Sequence, residues 1–287
     1  MTIRFEFGNL PILEEQKKLS MSSSESSVEY DWETNWKNPV FDHFLLYCDN
    51  LDEAIDKIEN LTGVRPTVGG KHVGKGTHNA IVSLSESNPD GSTKFPPIYL
   101  ELIAKDPEQT EFKTKEPVFS FTKHSSLKGK ILHWAAVTPR NKLYDWVDEV
   151  NANAAWTSRG WPELKEPCQM ERQTPDNKTL QWMLSLPTSR RPLPGNGLLP
   201  FLLDWQNVIS EGIHPGQTGP KGIVLKSVTL RHPKFWDSVK TGLDNLGLFS
   251  PNTNGGVKVI IEQSPSEIPS ITLNLQTPKG EIDLSQY

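Results

Sequence analysis

The residues of this chain best placed to do chemistry are histidines and a carboxylate set inside apolar runs. His43 stands in Asp42-His43-Phe44-Leu45-Leu46-Tyr47, Glu101 in Tyr99-Leu100-Glu101-Leu102-Ile103 and His133 in Leu132-His133-Trp134-Ala135-Ala136-Val137. Runs of this kind read as buried strands, where an unpaired imidazole or carboxylate is costly. A shared metal ion would remove that cost. Each residue also has a plainer reading, since a histidine in an apolar strand is more often a hydrogen-bonded core residue than a ligand. Glu101 has the strongest individual claim: an ionised carboxylate between two leucines needs a cation, an arginine or several donors. Arg172 is the rival partner, and a Glu101–Arg172 pair would leave the site metal-free.

Other segments carry weaker signals. The run Gly69-Gly70-Lys71-His72-Val73-Gly74-Lys75-Gly76-Thr77-His78-Asn79 offers glycines that let backbone N–H groups approach a ligand, with side-chain donors beside them. It would suit a carboxylate, phosphate or enolate oxygen, and equally a tight connection in which the glycines merely permit positive φ. His72 or His78 could serve as general base, because imidazole titrates near neutrality. Trp134, Trp182 and Trp205 could wall an apolar or ring-bearing substrate, or simply fill the core. The stretch 187–200, with Arg190 and Arg191, reads as a long loop at the mouth of a cleft. His214 and His232 each precede proline, where the backbone is held extended. Walker A order, a Gly-x-Ser-x-Gly elbow and a Gly-x-Gly-x-x-Gly fingerprint are absent, which removes the commonest nucleotide-binding and serine-hydrolase readings.

These residues must be positioned by a recurring unit. A strand over 40–47, a helix from Asn50 with apolar residues at helical spacing to Thr62-Gly63, and strands at 80–84 and 98–104 make the first copy. Strands at 131–137, 168–172, 179–186 and 201–205 around a helix over 141–150 make the second. A third, shorter copy has strands at 224–230, 257–262 and 271–276 and a helix over 234–246. Three openings with one grammar argue for duplication of a small module.

The 287 residues, 35% of them hydrophobic, are enough for a sizeable core. No run approaches the roughly 18 apolar residues of a membrane span, and the first residues lack the form of a secretory signal. Two cysteines are too few for a disulfide framework, so a cytoplasmic location is expected. The net charge of -5, with both signs interspersed, argues against nucleic acid as a partner.

Taken together, the Gly69–Asn79 run, Leu51-Asp52-Glu53-Ala54, Leu61-Thr62-Gly63-Val64-Arg65-Pro66, the three strand runs above, Arg172 with Thr174-Pro175-Asp176, Gln181-Trp182, Pro200-Phe201-Leu202-Leu203-Asp204-Trp205, His214-Pro215, Arg231-His232-Pro233 and Thr277-Pro278-Lys279-Gly280 resemble a glyoxalase-like domain of the vicinal oxygen chelate superfamily. The resemblance covers residues 38–284. It implies an α+β fold of repeated βαβββ modules whose mixed sheets curl around a cleft: a peripheral segment at 1–37, modules at 38–110 and 131–221 joined by a linker at 111–130, and a partial module at 222–287. It further implies one divalent metal ion held by His43, Glu101, His133 and Asp204, a donor set suited to Zn, Fe, Mn or Ni. His72, His78 and Arg172 become the catalytic candidates, and Gly70, Thr77, Asn79, Trp134, Trp182 and Trp205 the substrate-binding ones. The implied activity is metal-assisted lyase, isomerase or dioxygenase chemistry on a small carbonyl, diol or carboxylate metabolite, with a homodimer as the common assembly. A metal-free protein that binds or sequesters a small molecule in the same cleft is the alternative.

Overall fold

The computed structural model describes residues 36–112, 129–174, 178–188, 193–249 and 254–285. The peripheral segment at 1–37 apart from its last two residues, most of the 111–130 linker, Pro175-Asp176 and Arg190-Arg191 lie outside the described residues.

The first module contains β1 (Val40–Tyr47), α1 (Leu51–Thr62), β2 (Thr67–His72), β3 (Thr77–Ser83) and β4 (Tyr99–Lys105). Helix α1 forms where its caps dictate. Asn50 accepts hydrogen bonds from the Asp52 and Glu53 N–H groups, and Gly63 at φ 81° returns its N–H to Glu59 O. Leu51, Ala54, Ile55 and Ile58 form its buried face. Strand β2 is the element the periodicity missed, because two of its six residues are glycines; it pairs with β3 around the turn at 73–76.

The second module repeats the order with β5 (Ile131–Val137), α2 (Leu143–Ala152), β6 (Cys168–Gln173), β7 (Thr179–Ser185) and β8 (Phe201–Asp204). The eight strands close into a barrel in the order β1-β4-β3-β2-β6-β7-β8-β5. Closure is unequal at its two seams. Strands β1 and β5 pair antiparallel along their length, whereas β2 and β6 meet at one pair, Lys71 with Gln173.

The third unit carries β9 (Val224–His232), α3 (Trp236–Asn245), β10 (Lys258–Gln263), β11 (Ser270–Thr277) and β12 (Gly280–Leu284). Its fourth strand, β12, was not expected from the sequence, and its sheet order is β10-β9-β11-β12. In the first module the opening strand β1 lies parallel to the last strand β4, while here β9 lies parallel to β10. The element order is that of a module; the pairing is not.

Alternation along β1 sorts its side chains into two cores. Val40, Leu45 and Tyr47 belong to the cluster inside the barrel with Tyr99, Trp182 and Trp205. Phe41, Phe44 and Leu46 belong to the outer cluster, which also holds Ile58 of α1 and Val228 and Leu273 of the third unit. One residue breaks the alternation. The β1–β5 register slips between Phe41 and His43, so Asp42 sits at a bulge, which redirects a side chain.

Candidate functional site

Inside the barrel lies a cavity enclosing about 620 Å³ of space free of protein atoms, part of it open to solvent. Its inner wall is apolar, with Leu45, Leu203, Phe201, Trp182 and Trp205, and its polar residues gather on β1, β3, β4 and β6 as His43, Asn79, Glu101 and Arg172. His72 and Thr77, at the ends of β2 and β3, and Lys75 in the turn between them complete the rim. A largely apolar pocket with a few converging polar groups is the form a small-molecule site takes.

The polar cluster is built outward from Asp42, which is fully buried. Its Oδ1 lies 2.5 Å from His43 Nδ1, and its Oδ2 accepts from Trp205 Nε1 at 2.7 Å and faces His214 Nε2 at 3.0 Å. The Gly216 N–H donates to His214 Nδ1, so a neutral His214 carries its proton on Nε2 and donates to Asp42. Burial by itself would raise the Asp42 pKa. The charge and hydrogen bond of His214 and the hydrogen bond of His43 outweigh it and hold the carboxyl at about 2. Burial also pushes His214 below its ordinary value, against the attraction of Asp42.

With its Nδ1 committed to an ionised Asp42, His43 presents Nε2 to the cavity, 3.4 Å from Glu101 Oε2. The ring is stacked on Tyr99, with centroids 4.8 Å apart. Asn79 Nδ2 donates to Glu101 Oε1 at 2.5 Å, and Arg172 Nη1 donates to Asn79 Oδ1 at 3.0 Å. Glu101 is thus linked to Arg172 through an amide rather than paired with it. His72 Nε2 stands 3.8 Å from Glu101 Oε1, and its Nδ1 is 2.8 Å from Thr77 Oγ1. Burial dominates over the attraction of Glu101 and pushes the His72 pKa down to about 4, so this ring is neutral at pH 7.

Eight of the residues singled out in the sequence therefore share the cavity: His43, His72, Thr77, Asn79, Glu101, Arg172, Trp182 and Trp205. Five do not line it. His133 lies with Nε2 2.8 Å from Leu199 O. The Asp204 carboxylate accepts the N–H groups of Asn141 and Gln206, on the face of β8 opposite to Leu203; burial raises its pKa. Trp134 packs in the outer core and donates to Leu198 O. His78 alternates outward from Thr77 and Asn79, and burial lowers its pKa. Gly70, at φ 138°, packs on β6, where an added Cβ would come within 2.3 Å of Gln173 O and 3.4 Å of the Arg172 stem. The described part of the loop at 187–200 packs inward, burying Leu193, Leu198 and Leu199.

The four-residue metal set consequently does not assemble. His43 and Glu101 converge, but Ala135 stands opposite His43 in the β1–β5 register, and the cavity-facing residues of β8 are Phe201 and Leu203 rather than Asp204. Among the described residues no group of three or more His, Cys, Asp or Glu side chains is arranged to hold a metal ion. The donors that remain do not fit the four-ligand centre. Two contributors escaped sequence reasoning. Asp42 was hidden because strict alternation turns it away from His43, and His214 because only the fold brings it to Asp42.

A family model described as a glyoxalase-like domain matches residues 41–247. Among curated protein sequences none matches the chain. In solved structures the chain is similar to a protein from Staphylococcus aureus, with 18% identity, TM-score 0.51 and coverage of 87% of this chain and 88% of that one. It is also similar, at TM-score 0.33 and 16% identity over 58% of this chain and 98% of the other, to a methylmalonyl-CoA epimerase of Streptomyces coelicolor. The corresponding Mycobacterium tuberculosis enzyme gives TM-score 0.29 and 14% identity over 57% of this chain and 87% of that one.

Proposed function

Because the chain belongs to the glyoxalase-like domain family, we propose that it is an enzyme of that kind which moves a proton on a small oxygenated metabolite held in the barrel. One observation carries this reading. His43 Nε2 and Glu101 Oε2 face each other at 3.4 Å while His43 Nδ1 is taken by Asp42, so the free ring nitrogen points into the cavity beside a carboxylate, where it can accept a proton from a bound molecule. A substrate C–H next to a carbonyl supplies that proton. His43, oriented by Asp42, takes it as general base, the electron pair of the broken C–H bond passes to the carbonyl oxygen as an enolate, and the imidazolium, stabilised by Glu101, returns a proton to the substrate. The neutral His72 and the Asn79 amide lie beside the pair as hydrogen-bond donors for an oxygen on which negative charge develops. The surrounding tryptophans and leucines lower the polarity around the pair and strengthen each of these interactions. No step is routed through a metal, since the donor set described above does not fit the four-ligand centre.

Proton NMR in D₂O tests the reading with a panel of 2-oxo acids, 2-hydroxy acids and thioesters. The expected result is catalysed loss of a C–H signal next to the carbonyl of at least one panel member, falling by roughly 100-fold or more in His43→Gln and Glu101→Gln. Compounds that bind in titration yet show no exchange would move the reading to a sequestering protein that uses the same cavity.

A further inference from the structure

Arg172 is 5% exposed, lines the cavity and uses little of its hydrogen-bonding capacity. A guanidinium has five N–H donors, and here Nη1 is engaged by Asn79 while the buried Nε has no hydrogen-bond partner among the described residues. A buried donor without a partner is costly to leave so. Nε and Nη2 lie on one edge of the planar group, with the spacing that a carboxylate meets with two parallel hydrogen bonds. The sequence keeps this edge in place. An added Cβ at Gly69 would stand 2.7 Å from Arg172 Nη1 and 2.5 Å from Asn79 Oδ1, so glycine there makes room for the Arg172–Asn79 contact.

We propose that the Arg172 guanidinium is a carboxylate anchor, and that the ligand is a monocarboxylate whose apolar or ring-bearing body lies against Trp182 and Trp205. This rests on the reading that the barrel cavity is the functional site. A second negative charge on the ligand would face the Asp42 and Glu101 carboxylates with no buried cation besides Arg172 among the described residues of the cavity, so the ligand carries a single charge. Lys75 at the rim attracts an incoming anion. The two indoles, with ring centroids 5.1 Å apart, offer flat apolar surface for a ring.

The test titrates the full chain with phenylacetate, its neutral counterpart 2-phenylethanol and the dianion-forming benzylphosphonate, followed by tryptophan fluorescence. Phenylacetate should bind at least about tenfold more tightly than 2-phenylethanol, and benzylphosphonate no more tightly than phenylacetate. Arg172→Met should bring phenylacetate down to the level of the alcohol and leave the alcohol unchanged. Arg172→Lys, which keeps the charge and loses the fork, should retain only part of the preference, and it carries the test if circular dichroism shows that the Met variant does not fold. Equal affinity for acid and alcohol in the wild type would overturn the anchor while leaving the cavity reading intact, as would a preference that survives Arg172→Met. Tighter binding of benzylphosphonate would overturn the restriction to a monoanion. Failure of all three probes to bind would overturn the anchor and the cavity together. A clear preference for the acid with no proton exchange in D₂O would sustain the anchor and remove the enzyme reading.

Discussion

Asp42 does its work through one oxygen on each side. Replacing it by Asn keeps the volume and removes the charge, and the amide cannot accept from His43, His214 and Trp205 together. The proton of a neutral His43 is then expected on Nε2, facing Glu101. Nitrogen-15 shifts of the His43 ring in Asp42→Asn check this without any substrate, and an unchanged Nδ1–H tautomer would refute the proposed role. His72 makes a second prediction at this scale. Its folded pKa of about 4 lies below the ordinary histidine value of 6.5, so the unfolded state binds the extra proton first. Stability is therefore complete above about 6.5 and is lost as pH falls toward 4, by up to about 3 kcal/mol from this residue. Urea midpoints at pH 7 and pH 4.5 should fall further in the wild type than in His72→Gln; equal losses would remove His72 as the cause.

Among the elements, the β2–β6 seam is the narrow one. It depends on Gly70, whose φ of 138° and close approach to Gln173 O exclude any side chain without movement of the backbone. Gly70→Ala is expected to cost roughly 2–4 kcal/mol. Gly74→Ala, at φ 70° with no atom within 4 Å of the added Cβ, should cost roughly 1 kcal/mol. Chemical denaturation of the two variants gives the comparison, and similar losses would mean that the seam tolerates a side chain. Because the Arg172 stem lies against Gly70, the larger loss should be accompanied by weaker discrimination between phenylacetate and 2-phenylethanol.

For the whole molecule, the described residues from Trp36 onward form one compact unit, and the outer core runs without a break from Phe44 and Trp134 of the barrel to Val228, Leu273 and Leu275 of the third sheet. Backbone hydrogen bonds cross the same boundary, from Ile131 N–H to Ser285 O and from Leu225 N–H to Leu84 O. Barrel and sheet should therefore unfold together. Leu273→Ala, a cavity in the third unit, is expected to destabilise by about 2–5 kcal/mol and to shift tryptophan fluorescence and far-ultraviolet circular dichroism by the same amount. Separate transitions would show that the barrel stands alone.

Much of this was legible from residue order. Period-two apolar runs marked seven of the eight barrel strands, the Asn50 cap and Gly63 bounded α1, and the resemblance in the Gly69–Asn79 run pointed to the family. The same reading placed His43, Glu101 and Arg172 in one site. It did not find β2, because a strand with two glycines lacks the β-branched and aromatic residues that signal one. It also placed His133 and Asp204 in that site. Which face a residue presents depends on register, and register depends on bulges. One extra residue at Asp42 turns it beside His43, and the alternation of β8 turns Asp204 away while Leu203 faces in. Sequence alone determined which groups had to be neutralised in the interior. Only tertiary structure decided their partners, because those contacts join strands that are distant along the chain and the facing of each side chain changes with a shift of one position.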